Sequence, residues 1–316
     1  MKAYKVAIVI VTFNRQEYVL KNISHIKELP NSNFTIIIFD NGSTDGTKKA
    51  VLEKHPEIKY YKSEVNLGGA GGFKSGMKIA YDSGYEFIWC LDDDGAPHQD
   101  SLNNLLNEAK ANPGCIYGTR IIPIGSNKEE TFWDINGGYD YSLKNYSDLS
   151  ADRKKDIQIK KITHETASVA LLGLFLHRNV IDVIGYPNEN LFLANDDVEY
   201  CLRAWSNNIS VKLVMNATIE HPPMVILKKK LLGKVIIGIK MPPWKTYYYI
   251  RNIVCVNKIY FVPKIYFKML LGTFASLVVN ILEDKRNIHN YIYNALLAYL
   301  HGFIYDFNLE NKNGEN

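Results

Sequence analysis

Tyr85-Glu-Phe-Ile-Trp-Cys-Leu-Asp92-Asp93-Asp94-Gly95 is an apolar run that stops abruptly at three consecutive carboxylates. Phe87 to Leu91 is short, apolar and aromatic-rich, which suits a strand buried on both faces of a parallel sheet. The carboxylates then fall at the strand's carboxyl end, where open α/β sheets bind their ligands. Three acids cannot stay ionised side by side without a cation, because like charges raise one another's pKa and desolvation adds to the cost. A hard divalent ion, Mg2+ or Mn2+, shared with substrate phosphates would relieve the crowding. The competing reading is a plain polar turn, in which Asp and Gly are ordinary residues.

Upstream, Val6 to Val11 is an apolar run ending at Thr12-Phe13-Asn14-Arg15, and Tyr18, Val19, Ile23 and Ile26 then follow at helical spacing. Phe34 to Phe39 begins the same pattern again, with a polar turn at Asp40-Asn-Gly-Ser-Thr-Asp45-Gly and a helix over Thr47 to Lys54. The βαβα order predicts an α/β fold with a doubly wound, mostly parallel sheet. A third short strand, Ile58 to Lys62, leads to Asn66-Leu-Gly68-Gly69-Ala-Gly71-Gly72-Phe73-Lys74-Ser-Gly76 and a helix over Met77 to Asp82. Glycines before a helix let backbone N–H groups approach a pyrophosphate, whose charge the helix dipole favours. No Gly-Lys-Ser/Thr closes the run, so it is not a P-loop, and it does not follow the first strand as a dinucleotide fingerprint should. A flexible surface loop is the alternative.

Downstream, the pattern predicts a helix over Ser101 to Ala111, a strand over Cys115 to Ile122, a strand over Thr166 to Leu176 and a short helix over Asn179 to Ile184. Residues 124 to 160 are polar and read as a long insertion near a site. Asn190-Leu-Phe-Leu-Ala-Asn195-Asp196-Asp197-Val-Glu199-Tyr-Cys-Leu-Arg203-Ala-Trp205 is the second acidic concentration. Asp196 and Asp197 are placed to cap a helix from Val198 to Ser206.

An apolar fraction of 47% and a charged fraction of 22% describe a globular protein and exclude a disordered chain. The 316 residues suit one large domain with an appendage. The net charge of +4 hides an asymmetry: His221 to Leu282 carries ten Lys/Arg and no Asp/Glu. Cys90, Cys115, Cys201 and Cys255 form no metal-ligand pattern and read as free thiols in a reducing compartment. Lys5 to Val11 reads as a first strand rather than a signal core. No apolar stretch reaches the roughly 20 residues of a membrane span; the longest candidate, Met269 to Leu282, contains Gly272 and Asn280. The lysines of Leu227 to Lys240, with Trp244 and Tyr247 to Tyr249 beyond, suit an anionic membrane surface, which attracts each lysine by about 1 kcal/mol. A helical domain with a solvated basic face is the alternative. No motif supports nucleic acid.

Taken in order over residues 4 to about 225, these elements resemble the inverting glycosyltransferases of family 2, which have the GT-A fold. The resemblance rests on Val-Ile-Val-Thr-Phe-Asn-Arg, Phe-Asp40-Asn-Gly-Ser-Thr-Asp-Gly-Thr, the glycine run, Asp92-Asp-Asp94, Gly173-Leu-Phe-Leu-His-Arg178, Phe192-Leu-Ala-Asn-Asp-Asp197-Val-Glu and Ile219-Glu-His221-Pro-Pro. The glycine run, the tandem acids and Tyr247-Tyr-Tyr-Ile-Arg251-Asn252 are most similar to galactofuranosyltransferases and related rhamnosyltransferases of bacterial surface polysaccharides. The resemblance implies that Thr12, Asn14, Arg15 and Asp40 line the nucleotide site, with Asn66, Gly68, Gly69, Gly71 and Gly72 near ribose and diphosphate. Asp92 and Asp93 would face the nucleotide sugar. Asp94 and His221 would hold Mn2+ or Mg2+, and Asp197 would be the catalytic base. Asp196, Glu199 and Arg203 would lie near the acceptor or support the residues that touch it. Asn195 stands where galactofuranosyl members often carry an aromatic residue, so the donor stays open between UDP-galactofuranose, which is favoured, and dTDP-rhamnose.

The resemblance further implies a lipid-linked or oligosaccharide acceptor and a cytoplasmic, peripheral position at the membrane's inner face. Residues 1–225 would form the GT-A domain and 226–316 a helical docking region; the oligomeric state, a homo-oligomer included, stays open. A non-catalytic nucleotide-sugar-binding protein and a nucleotidyltransferase are the rival classes. A glycosidase would also pair carboxylates but has no use for a glycine-rich phosphate cradle.

Overall fold

The computed structural model describes residues 4–30, 33–125, 162–231, 233–260 and 263–305. The insertion expected at 124–160 lies outside the described residues from 126 onward. The chain divides into two compact units, the first reaching Phe192 and resuming over Asp196–Pro223, the second comprising Leu193–Asn195 and the chain from Met224.

The first unit opens with β1 (Val6–Thr12), α1 (Gln16–Lys27), β2 (Phe34–Asp40), α2 (Thr47–Lys54), β3 (Lys59–Lys62), α3 (Gly68–Asp82) and β4 (Phe87–Asp92). It continues through β5 (Ala96–Pro97), α4 (Ser101–Ala111), β6 (Ile116–Pro123), β7 (Thr163–Glu165) and β8 (Phe175–His177). It ends with α5 (Arg178–Ile184), α6 (Asp196–Ser206) and β9 (Val211–His221). The strands form one sheet in the order β3-β2-β1-β4-β8-β6-β9-β5, with β7 also on β9. β1, β2, β3 and β4 run parallel, as do β6 and β9, while β8 is inserted antiparallel between β4 and β6. All seven residues of β1 are buried, as a strand covered on both faces requires. Ile8, Ile10, Ile38, Trp89 and Phe175 join Ile23 and Leu105 from the helices in its main core.

Three boundaries differ from the sequence expectation. α3 begins at Gly68 rather than Met77, so the glycine run is helix and not the loop before one. The strand expected over Thr166 to Leu176 shrinks to Phe175–His177, because the chain turns at Leu171, whose carbonyl accepts from Leu174 N–H at 3.1 Å. α6 takes in Asp196 and Asp197 themselves, so neither stands outside it as a cap.

The second unit is not wholly helical. Its lysine-rich segment forms an antiparallel hairpin of β10 (Ile226–Leu231) and β11 (Lys234–Ile239), with Lys228 opposite Ile237 and Lys230 opposite Val235. The β-branched run Val235-Ile236-Ile237 suits a strand better than a helix. Then come α7 (Pro243–Tyr260), α8 (Pro263–Glu283) and α9 (Ile288–Ile304) around Ile250, Val254, Leu277, Tyr291, Ala295 and Ala298. Over the 18 residues Tyr266–Glu283, α8 is long and apolar enough to cross a membrane by length and composition alone, a test that a core helix also passes. Asn280 fixes α8 to the hairpin's end, donating to Ile239 O at 2.9 Å and accepting from Met241 N–H at 3.0 Å. All four cysteines are free thiols.

Candidate active site

The parallel register aligns the expected site residues at the carboxyl ends of adjacent strands. Thr12 lies opposite Asp40, and Val11 opposite Asp92. β5 brings in the remaining side: Ala96 pairs antiparallel with Glu220, which sets Asp94 beside His221. His221 Nε2 lies 3.1 Å from Asp94 Oδ1. One ligand atom each from Asp92, Asp94 and His221 lies within 4.8 Å of the others. The structure thus places Asp92 with the two expected metal ligands.

Asp93 faces a different set of groups. Thr12 Oγ1 donates to its Oδ2 at 2.8 Å, and Arg15 Nη1 lies 3.1 Å from its Oδ1. The other end of the Arg15 guanidinium lies 2.7 Å from Asp94 Oδ2, so one arginine bridges neighbouring carboxylates. Burial pushes the Asp93 carboxyl up to about 7, partly offset by Arg15 and Thr12. Asp92 is pushed up to about 6, first by burial and then by the charge of Asp94. Burial also opposes ionisation of Asp94, but the hydrogen bond and charge of His221, with Arg15, outweigh it and hold that carboxyl below its ordinary value.

This donor set fits a divalent cation. The Pro222 carbonyl 2.7 Å from His221 Nδ1 can only accept, so Nδ1 carries the hydrogen. A neutral ring then aims the lone pair of Nε2 at a carboxylate, a repulsive arrangement unless the ring is protonated or a cation lies between. Two carboxylates and one imidazole suit Mn2+ or Mg2+, with further positions for phosphate oxygens.

The Asn14 and Asp40 loops are laced together. Asn14 N–H donates to Ser43 Oγ at 2.8 Å, and Asn14 Oδ1 accepts from Thr44 N–H at 2.7 Å. Asp40 is fully buried, with one oxygen accepting from Ser43 N–H at 2.8 Å and the other from Tyr60 Oη at 2.6 Å. Asp40 therefore shapes the turn at the strand ends. Asn22 does the same for β4, donating to Asp92 O at 2.7 Å. Tyr60 and Asn22 are invisible to motif reading, because their partners lie 20 and 70 residues away in the chain.

The glycines divide by function. Gly68 has φ of +71°, and a Cβ there would lie 2.1 Å from Phe192 O, so only glycine fits. Asn66 Oδ1 accepts from Gly68 N–H at 2.8 Å and fixes this turn. Gly71 and Gly72 are buried; a Cβ on Gly72 would meet Val11 Cγ1 at 2.6 Å, so it brings α3 against β1. Gly69 is partly exposed at the helix's first turn.

The second acid pair follows a strained loop. Phe192, Ala194 and Asn195 have φ of 61°, 67° and 59°, three left-handed non-glycine residues in four. Asn252 Nδ2 donates to Leu193 O at 2.9 Å and Ala194 O at 2.7 Å, so the motif Arg251-Asn252 latches this loop. Asp197 Oδ1 accepts from Val198 N–H at 2.8 Å. Burial raises the pKa of both Asp196 and Asp197, and the charge of Asp197 adds to the rise at Asp196. Asp197 also raises Asp92, so the two acid clusters feel one another across one site. Glu199 and Arg203 brace α6: the guanidinium meets both carboxylate oxygens at 3.0 and 2.8 Å and donates to Ile184 O at 2.7 Å.

A family model described as glycosyl transferase family 2 matches residues 7–172, more than half the chain. The chain belongs to glycosyl transferase family 2. The enzyme is 25% identical over 230 residues to the galactofuranosyltransferase GlfT1 of Mycolicibacterium smegmatis, covering 72% of this chain and 74% of the relative. It is 24% identical over 304 residues to the dTDP-rhamnosyl transferase RfbF of Shigella flexneri, covering 93% and 94%. It is 31% identical over 195 residues to the GalNAc(5)-diNAcBac-PP-undecaprenol beta-1,3-glucosyltransferase of Campylobacter jejuni, covering 60% and 59%. Among solved structures, S. aureus TarS with UDP-GlcNAc superposes with a TM-score of 0.58 at 14% identity, covering 94% of this chain and 81% of that one. GalNAc-T7 with UDP, GalNAc and Mn2+ gives 0.58 at 13% identity, covering 81% and 48%. These likenesses show the GT-A fold for this glycosyltransferase.

Proposed function

We propose that the enzyme moves a sugar, with inversion, from a nucleotide-diphosphate donor to a glycan or lipid-linked acceptor, with Mn2+ or Mg2+ held by Asp92, Asp94 and His221. The observation that carries this reading is the convergence of that donor set with Asp197. The cation, when bound, stabilises negative charge developing on the leaving nucleoside diphosphate. The chain's own residues do the rest. Thr12, Asn14, Arg15 and Asp40 order the strand-end loops around the nucleotide, and Asn66 with Gly68 and Gly69 shapes the first turn of α3 for the diphosphate. Asp197 takes the proton of the acceptor hydroxyl as it attacks the anomeric carbon, and its burial-raised pKa suits a base poised nearer neutrality. Residues 1–225 carry this chemistry in our reading, and 226–316 dock it at a cytoplasmic, anionic membrane surface.

UDP-galactofuranose is the favoured donor, on the likeness to GlfT1. dTDP-rhamnose is the second reading, favoured by the near full-length match to RfbF. The test is a panel of nucleotide sugars with Mn2+ and mass spectrometry of the released nucleotide. UDP from UDP-galactofuranose supports the first donor, and dTDP from dTDP-rhamnose the second. Release of pyrophosphate would point to a nucleotidyltransferase, and absence of turnover with every donor to a binding protein.

A further inference from the structure

α8 exposes Phe267, Leu271 and Phe274, spaced as one helical stripe, and α9 exposes Ile292, Leu296, Leu300 and Phe303 as another. Leu271 and Leu296 are 71% and 67% exposed, values a surface leucine reaches when nothing covers it. Two contacts fix the helices side by side: Thr273 Oγ1 and Tyr299 Oη are 2.7 Å apart, and the Tyr266 and Phe303 rings lie 6.3 Å apart. The chain reverses through a short turn at Lys285–Asn287, so the helices are antiparallel and both stripes border one seam. At about 100° per residue, the stripe on α8 lies opposite Ser276 and Asn280, which meet the β10–β11 hairpin. The apolar stripes therefore form one face turned away from the hairpin. Scattered exposed leucines need no explanation, but a contiguous patch of this kind marks an interaction surface.

We propose that this α8–α9 face lies in the interfacial plane of an anionic bilayer and holds the enzyme there as a monotopic anchor. The inference rests on the reading that the enzyme works at a membrane surface, and names the element that makes the contact. α9 carries no Lys, Arg, Asp or Glu over its 17 residues, yet buries Tyr291, Ala295, Ala298 and Gly302 within its own unit. With Tyr291, Ala295, Ala298 and Gly302 packed inside its own unit, α9 has only its opposite face to offer a bilayer. Charge decides between a bilayer and a second copy. Lys268 is exposed beside Phe267, and Lys285 and Arg286 are exposed at the turn between the helices. Glu283, the first acid after the basic segment, is engaged by Lys229 at 2.7 Å and Lys240 at 3.8 Å. A second copy would bring these like charges together, whereas anionic headgroups complement them. Lysine stems can lie along the apolar face while their ammonium groups reach the headgroups.

The test uses the full chain and vesicles of phosphatidylglycerol in phosphatidylcholine, without donor or acceptor. Wild type should cosediment with these vesicles, bind pure phosphatidylcholine more weakly, and lose affinity as salt rises. Leu271→Glu/Leu296→Glu changes only exposed positions on helices, so its melting temperature should stay close to wild type. Its vesicle affinity should fall at least about 30-fold, since two leucines no longer leave water. Transfer to a water-soluble acceptor should be unchanged, which separates this inference from the catalytic reading. Wild-type vesicle binding by the double variant would overturn the proposal, as would failure of wild type to bind. A wild-type dimer in light scattering that dissociates in the variant, with vesicle binding unaltered, would assign the face to a second copy instead.

Discussion

Asn252 is buried on α7, and its removal should slow transfer. Its amide holds the carbonyls of Leu193 and Ala194 at 2.9 and 2.7 Å, and its Oδ1 accepts from Arg251 Nε at 2.8 Å. The held loop includes Phe192, Ala194 and Asn195 at positive φ, conformations costing of order 1–3 kcal/mol each unless the surroundings enforce them. Asn252→Ala removes two of the bonds that enforce them and strips two carbonyls of a partner, a loss of about 2–4 kcal/mol. The loop runs directly into Asp196 and Asp197, so relaxation moves the start of α6. A displacement that costs 1.4 kcal/mol at the transition state slows transfer about tenfold. The assay is transfer rate at saturating donor and acceptor, beside the dissociation constant of the nucleoside diphosphate. Rate should fall at least about tenfold with nucleotide affinity changed less than about threefold, because the residues proposed for the nucleotide, Thr12, Asn14, Arg15 and Asp40, lie at the ends of β1 and β2. Asn252→Asp, of equal shape but unable to donate, should behave as alanine does. Wild-type turnover by Asn252→Ala would refute the latch.

Asp94→Asn and His221→Ala should each abolish the Mn2+-dependent part of nucleoside diphosphate binding in calorimetric titration; unaltered binding by both would place the cation elsewhere. Asp197→Asn should lower transfer about 100- to 10,000-fold, the usual cost of losing a general base, with little change in melting temperature. The same loss confined to Asp196→Asn would move the base one residue along the chain. Asp92 and Asp93 have folded-state pKa values of about 6 and about 7, raised above an ordinary carboxyl by burial. Between pH 4 and 7 the folded state therefore holds protons that the unfolded chain has lost, so stability falls as pH rises through this window. The melting temperature of metal-free protein should be lower at pH 8 than at pH 5, and added Mn2+ should raise it more at pH 8.

What was legible in the sequence was whatever short-range pattern expresses. The buried run Val6–Thr12 and the run ending at Asp92 read directly as core strands, and β-strand register then brought Thr12, Asp40 and Asp92 together. His221 was reachable only through the family pattern, since its neighbour Asp94 is far away in the chain and only β5 against β9 joins them. The glycine run misled by its composition. Glycine is a poor helix former, yet α3 needs it where Phe192 O and Val11 approach too closely for any side chain. The lysine segment misled by its charge: its lysines suggest a solvated helix face, whereas the β-branched Val235, Ile236 and Ile237 pair with them across a hairpin. Left-handed residues before Asp196 leave no mark in a sequence when they are Phe, Ala and Asn rather than glycine.

The three consecutive carboxylates are met one at a time by the protein's own groups, and the proposed cation fits what those groups leave over. Asp93 is met by Thr12 and Arg15, and Asp94 by the other end of the same guanidinium. That single positive charge cannot balance both, and Asp94 draws on His221 as well. Asp92 feels these cations too, but burial and the charge of Asp94 dominate and leave its pKa raised to about 6. Hence a divalent ion among Asp92, Asp94 and His221 adds charge where the protein's own cations fall short. Such an ion would displace the proton through which His221 Nε2 meets Asp94 and make that nitrogen a ligand. Arg15, by engaging Asp93, leaves the middle carboxylate outside the proposed coordination, so Asp92 and Asp94 are the two that could share an ion.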